Sequence, residues 1–360
     1  MEKVFFASKQ KKFLNYIQYF RAVSIVFIVL GHCFDLRSFN FIEGSSFLTF
    51  IRAIATGGSA FFVFISGYLF HHNHSYKFQL LPFLIKKFKY LVLPFLLFTS
   101  LDFLYYLVRN LMNYYLYTKD NNTYLKKLQA FDFLERYLFG YSEIAIGLWY
   151  IPFILVLYSL SHLFDKFRFL NIKIQIYSII SLLIISSILH RTNDYNFKGL
   201  IQNVIYFTPV YLLGVFTSEN KTLLICTLSN YRFHLLIISL IIAIFQINST
   251  ELNSFIDLMI FQKVFLTLFL FLFFLSLKKP LSNIFTLLAD NSFGIFFIHG
   301  IFIWFINAIL NYLNLKFSFG FFGDLFLYIS LSFFILFLSL MITISIKWLL
   351  PNKSKFFIGC

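Results

Sequence analysis

The chain has 360 residues, of which 59% are hydrophobic and only 12% charged, at a mean hydropathy of +0.79. Soluble domains carry about 25% charged residues, so a water-soluble globular fold is excluded. A formal charge of +15 would point to nucleic acid in a soluble protein; in a chain this apolar it reads as basic loops held on the cytoplasmic side, and no nucleic acid is expected as a partner.

Apolar runs of 18 residues or more recur along the chain, each a transmembrane-helix signal. Membrane barrels show alternating segments of about ten residues instead, so helices are predicted. In chain order the spans fall at 14–34, 49–70, 90–112, 144–164, 174–190, 200–217, 233–248, 256–277, 291–312 and 326–348, the fifth and seventh being short and polar-flanked. The expected fold class is an all-α integral membrane protein, a bundle of about ten transmembrane helices in the lipid bilayer, forming a single domain over residues 1–360. The N-terminus, MEKVFFASKQKK, is basic, and no small-residue cleavage site follows the first run, which predicts an uncleaved first span. The abundant Phe (55) and Tyr (22) are expected mainly on lipid-facing and interfacial surface.

Placing the N-terminus in the cytoplasm puts Lys3, Lys9, Lys11 and Lys12 there, then Lys77, Lys86, Lys87 and Lys89. Lys166, Arg168 and Lys173 follow on the same side, then Lys221 and Arg232, Lys278 and Lys279, and Lys347, Lys353 and Lys355. Most acids fall opposite: Asp35, Glu43, Asp120, Asp132, Glu135, Glu143, Asp194, Glu251, Asp257 and Asp324. Alternate loops are basic throughout, as the positive-inside rule expects, and an even number of spans leaves both termini cytoplasmic. The longest outer loop is 113–143, polar and aromatic, long enough to help form a binding surface. No repeated halves are evident, whereas interrupted inverted repeats would favour a secondary transporter.

Within the first span, FRAVSIVFIVLGHCFDLR (20–37), Arg21 and His32 are eleven residues apart. At 100° per residue they lie within about 20° of one helix face and about 16 Å apart along the axis. Arg21 alone reads as a snorkelling anchor, and His32 alone as a polar residue packed on a neighbouring helix. Ionisable groups inside spans are costly and usually functional, and a shared face favours that reading. A histidine at the outer margin can serve as general base toward an alcohol. Asp35, one turn on, can orient or charge-stabilise it, a solvated loop acid being the plain alternative.

Other positions carry weaker signals. Gly57, Gly58 and Gly67 either let helices approach closely or leave room for a ligand. Glu143 and Trp149 are candidate sugar contacts at the outer face, against a loop acid and an aromatic-belt anchor. His299 is expected in a helix–helix hydrogen bond, and Asp102 and Lys263, both inside spans, could pair. Cys33, Cys226 and Cys360 are far apart, and the His71, His72 and His74 cluster lacks a second ligand group nearby, so no disulfide and no metal site is predicted.

The spacing of Arg21 and His32 resembles the first-span signature of membrane-bound acyltransferase family 3, multi-span enzymes that move an acyl group, usually acetyl from acetyl-CoA, onto surface glycans. GGSAFFVFISGYLF (57–70) is similar to the family's second span, with Ser66, Gly67 and Tyr68 as its Ser-Gly-aromatic ending. FLIKKFKYLVLPFLLF (83–98) resembles its basic cytoplasmic loop and proline-started third span. GLWYIPFIL (147–155) and DNSFGIFFIHG (290–300) resemble its Leu-Trp-aromatic and Ser-Phe…Ile-His segments. The basic loop departs from the usual Arg-x-x-Arg pair: Lys86, Lys87 and Lys89 stand there, with Tyr90 near the second arginine position. Lysine binds phosphate as a point charge, without the bidentate fork of arginine.

The resemblance implies acetyl-CoA as acyl donor, its phosphates at Arg21, Lys86, Lys87 and Lys89, and its pantetheine arm reaching His32. Ser66 or a backbone N–H would then stabilise the oxyanion. It implies an O-acetyltransferase of a bacterial inner membrane acting on a sugar hydroxyl of a surface polysaccharide or lipid-linked precursor. Direct transfer is preferred to an acyl-histidine intermediate. A polysaccharide or lipid exporter or flippase is the alternative, but does not explain why Arg21 and His32 share a face beside a basic loop. An accessory subunit of a glycan-synthesis complex, a further alternative, needs no reactive histidine.

Overall fold

Backbone polar groups inside a bilayer must bond within the chain, so apolar runs of this length fold as helices. A computed structural model describes residues 14–36, 39, 46–74, 78–117, 130–249, 255–277, 281–317 and 319–360. Lys3, Lys9, Lys11, Lys12, Glu43, Lys77, Asp120, Glu251, Lys278 and Lys279 lie outside the described residues. In chain order the helices are α1 (Asn15–Cys33), α2 (Ser46–Ala55), α3 (Ser59–His74), α4 (Leu80–Tyr117) and α5 (Ala130–Phe139). They continue with α6 (Tyr150–Ser159), α7 (Ser161–Phe167), α8 (Ile172–Leu189), α9 (Phe197–Glu219) and α10 (Lys221–Leu228). The last are α11 (Arg232–Ser249), α12 (Leu258–Ser276), α13 (Asn283–Tyr312), α14 (Gly320–Leu349) and α15 (Ser354–Ile358). Among the described residues there is no strand; a single bridge joins Phe39 to Phe317.

Among the described residues nine stretches are long and apolar enough to cross a membrane, counting α2–α3 and α10–α11 as one each, which makes this an all-α multi-pass membrane protein. Two predicted spans are interrupted. The second breaks between α2 and α3 at Gly57, whose φ of 78° is the left-handed region that glycine enters freely. The fourth, expected over 144–164, is two short helices meeting at Leu160, preceded by a non-helical segment from Gly140. A buried carboxylate, Asp102, holds that segment out of the helix, as described below.

Helix α1 packs against α13 and also meets α3, α12 and α14, so Arg21 and His32 lie along the core. Helices α3 and α9 approach closely at two glycines, where no side chain would fit. A Cβ at Gly67 would stand 2.0 Å from the Tyr211 carbonyl oxygen, and one at Gly214 2.2 Å from that of Phe64. Close packing therefore accounts for Gly67. Helices α8 and α11 keep broad apolar faces outward, as lipid-facing helices must.

The charges sort to two ends. Lys221 Nζ donates to Tyr16 Oη at 3.2 Å near the start of α1, and Leu281 N donates to Tyr19 Oη at 3.1 Å. Lys347 Nζ donates to the Asp290 carbonyl oxygen at 2.9 Å. These groups mark a basic end, and His32 lies at the other.

Candidate active site

At the His32 end, the last turn of α1, the α2–α3 break, residues 146–150 and residues 191–195 enclose a cavity of about 500 Å³. His32 and Asp35 both line it. The turn that ends α1 folds Asp35 back, its N–H donating to the His32 carbonyl oxygen at 2.9 Å. This sets His32 Nδ1 3.3 Å from Asp35 Oδ2. A carboxylate accepts, so Nδ1 carries the proton and Nε2 is left as a free lone pair. The His32 side chain is 25% exposed and that of Asp35 52%, so a substrate can reach the pair.

His299 sits directly behind, its ring centroid 5.3 Å from that of His32. The expected helix–helix hydrogen bond is replaced by one within α13: Nδ1 donates to the Ile295 carbonyl oxygen at 3.0 Å. His299 Nε2 is buried without a partner among the described residues.

One wall of the cavity is held by charges. Asp102, fully buried on α4, accepts from Ser142 Oγ at 2.8 Å, Glu143 N at 2.8 Å and Ile144 N at 3.0 Å. Buried Arg136 on α5 donates to Asp102 and, at 3.2 Å, to Glu143, which also pairs with Arg109. Backbone N–H groups satisfied by Asp102 cannot also make helical bonds, so the chain stays irregular until Tyr150. It thereby delivers Gly147, at φ 100°, beside Phe296 and His32; a Cβ there would stand 4.0 Å from His32 Nε2.

This network corrects two expectations. Asp102 does not pair with Lys263, and Glu143 is not among the cavity-lining residues, because both its oxygens are occupied by arginines. Lys263, buried on α12, instead donates to the carbonyl oxygens of Ile54 at 2.5 Å and Ala53 at 3.4 Å. The amine N–H groups there satisfy the last carbonyls of α2 and support the Gly57–Gly58 break. Gly57, Gly58 and Ser59 line the cavity, so the positive end of the α3 dipole faces it.

The opposite wall is the segment RTNDYN (191–196). Gln202 Nε2 donates to the carbonyl oxygens of Leu189 at 2.7 Å and His190 at 3.1 Å. Asn203 exchanges two bonds with the Thr192 backbone, at 3.3 and 3.1 Å. Arg191 projects from this clamped turn with its guanidinium 4.7 Å from the Trp149 ring centroid. Burial pushes the Arg191 pKa down and that of neighbouring Tyr195 up. Trp149 lines the cavity, and its ring is engaged by Arg191 and by Phe207.

Toward the basic end, the helix geometry expected for Arg21 holds: its Nη2 donates to Ser292 Oγ at 2.9 Å on α13. The lysines are spread rather than gathered. Lys87 lies over the rings of Tyr158 (4.7 Å) and Phe83 (5.6 Å), Lys89 lies over Phe356 (5.0 Å), and Lys86 is exposed. The chain after α14 lies between Lys89 and Arg21: a Cβ at Gly359 would be 3.3 Å from the Tyr90 carbonyl oxygen, and one at Gly294 3.1 Å from Cys360 Sγ. Ser66 accepts from Tyr158 Oη at 3.2 Å and does not line the cavity, so the structure separates it from His32. Between the two ends stand Phe62, Tyr150, Phe293 and Phe296 around a small void of about 10 Å³ that shares Ile28, Tyr150 and Phe296 with the large cavity.

Sequence reasoning missed Arg52, Gly147, Tyr150, Arg191 and Phe296 as cavity residues. Only a diffuse signal existed for the arginines: Arg52, Arg109, Arg136 and Arg191 stand on the side that holds most of the acids, but so do Arg37, Lys119, Lys126, Lys127, Lys198 and Lys316.

With this geometry in view, the comparisons are specific. Neither a curated protein nor a solved structure matches the chain. The family model for an acyltransferase domain, that of acyltransferase family 3, matches residues 14–348. The chain belongs to acyltransferase family 3.

Proposed function

We propose that this membrane acyltransferase transfers an acyl group, acetyl from acetyl-CoA, to a sugar hydroxyl of a surface polysaccharide or its lipid-linked precursor. It would do so in a bacterial inner membrane, with the basic end toward the cytoplasm. The observation that carries this reading is the His32–Asp35 pair opening into a cavity of about 500 Å³, on the same face of α1 as Arg21. A space of this size accommodates a sugar ring.

In this mechanism Asp35 holds the Nδ1 proton and fixes the tautomer. His32 Nε2 removes the proton of the acceptor hydroxyl as its oxygen attacks the thioester carbonyl. The resulting oxyanion forms near the N-terminal end of α3, where the helix dipole stabilises negative charge. Collapse breaks the C–S bond, and the departing CoA sulfur recovers the proton from His32, whose transient charge Asp35 offsets. The CoA phosphates are held at the basic end by Arg21, Lys86, Lys87 and Lys89. Its thioester end crosses the layer of Phe62, Tyr150, Phe293 and Phe296, whose rings must part.

The test is His32→Ala. Acetyl groups on the purified glycan, read by NMR, should disappear while the protein still inserts in the membrane. Retained acetylation overturns the reading.

A further inference from the structure

The acyl-transfer chemistry leaves two guanidinium groups of the cavity without a task. Arg191 touches the Trp149 face, but its Nε is buried without a hydrogen-bond partner, and it makes no ion pair among the described residues. Arg52 enters the same cavity from α2, exposed and likewise without an ion pair among the described residues. The acids closest in charge to Arg191 are already engaged. Asp35 faces His32, and Asp257 accepts from Met259 N at 2.8 Å as the cap of α12. Arg191 is half-buried, and a guanidinium with a buried N–H left unpaired carries a cost that pairing with a ligand would offset.

The surroundings favour an anion. The positive end of α3 opens onto the same space. The turn bearing Arg191 is fastened by Gln202 and Asn203, so its position is set before any ligand arrives. A fork of N–H donors held in this way suits a carboxylate or phosphate. Other groups are accounted for internally. His299, though its Nε2 is unpaired, is fully buried and does not line the cavity, and the Asp102–Arg136–Glu143–Arg109 cluster neutralises itself.

We propose that the acceptor of this enzyme is anionic: a carboxylate or phosphate on the acceptor binds Arg191 and Arg52 while a hydroxyl of the same molecule meets His32 Nε2. The proposal rests on the reading of this cavity as the acceptor site, and it makes the two arginines binding and positioning residues.

The test is direct binding of three probes that share one sugar: glucose, glucuronate and glucose 1-phosphate, titrated into the purified full-length protein by calorimetry. Both anions should bind about tenfold or more tightly than glucose, as one or two charge-assisted hydrogen bonds allow. The advantage should shrink with salt and fall to within about twofold in Arg191→Gln, with a smaller loss in Arg52→Gln, whose exposed position spares the fold. A preference between the two anions identifies the source as an acidic sugar or a phosphate linkage. Equal binding of all three probes, or no binding of either anion, overturns the proposal. Acetylation of the glycan is read separately, so its loss or survival in His32→Ala judges the acyl-transfer reading independently.

Discussion

The two ends of the molecule are built on different principles. At the His32 end the polar groups are held before any ligand arrives: Asp102 and Arg136 are buried and mutually paired, Gln202 and Asn203 clamp the facing turn, and an open cavity results. At the basic end the charges rest on aromatic rings or on a single hydroxyl: Lys87 on Tyr158, Lys89 on Phe356 of the chain's last segment, and Arg21 on Ser292 of α13. The contrast teaches that one end is shaped in advance, whereas the other, under the proposed function, would have to rearrange to receive the CoA phosphates. Preorganised groups lower the cost of binding, and mobile ones add to it.

Four variants test this contrast, from the largest expected effect to the smallest. Asp35→Asn should lower acyl transfer by about 10²- to 10⁴-fold, because the His32 tautomer is no longer set. Acetyl incorporation from labelled acetyl-CoA measures it, and an unchanged rate would mean that the dyad is not the working base. Asp102→Ala leaves the buried Arg136 charge uncompensated and should destabilise the fold by about 3–5 kcal/mol. Thermal unfolding in detergent checks this; an unshifted melting temperature would remove the structural account of the His32 wall.

Arg21→Gln, which keeps a donor toward Ser292 but removes the charge, should weaken acetyl-CoA binding by about tenfold, as loss of a charged hydrogen bond does. Titration with acetyl-CoA reads it, and full affinity would place the donor site elsewhere than the basic end. Glu143→Gln should cost about 1.5–3 kcal/mol, less than Asp102→Ala, since buried Arg136 keeps Asp102 and the pair with Arg109 is partly exposed. The KM for acceptor should stay within about twofold of the parent. A large KM increase would return Glu143 to sugar binding and blur the contrast between the ends.

Composition and periodicity by themselves determined the class of molecule and its lengthwise polarity. Runs of apolar residues demand helices because no water is present to satisfy the backbone, and the lysine bias divides the chain into two ends. The rise and turn of one helix were enough to place Arg21 and His32 on a common face at opposite ends, and the turn after Cys33 was enough to bring Asp35 to His32. What the tertiary structure decided was every contact between distant segments. Asp102 looked like a partner for Lys263, yet it met Arg136, the Ser142 hydroxyl and the backbone N–H groups of Glu143 and Ile144, because burial leaves an acid only the donors that packing brings to it. Arg191 is 159 positions from His32 along the chain, and no periodicity links them. The two share a cavity because α9 packs against α3 and the turn before α9 lines the same space as the α2–α3 break. Local geometry obeys rules that a single strand of sequence carries; a cavity is the space left over when separate helices pack, and that space exists only in three dimensions.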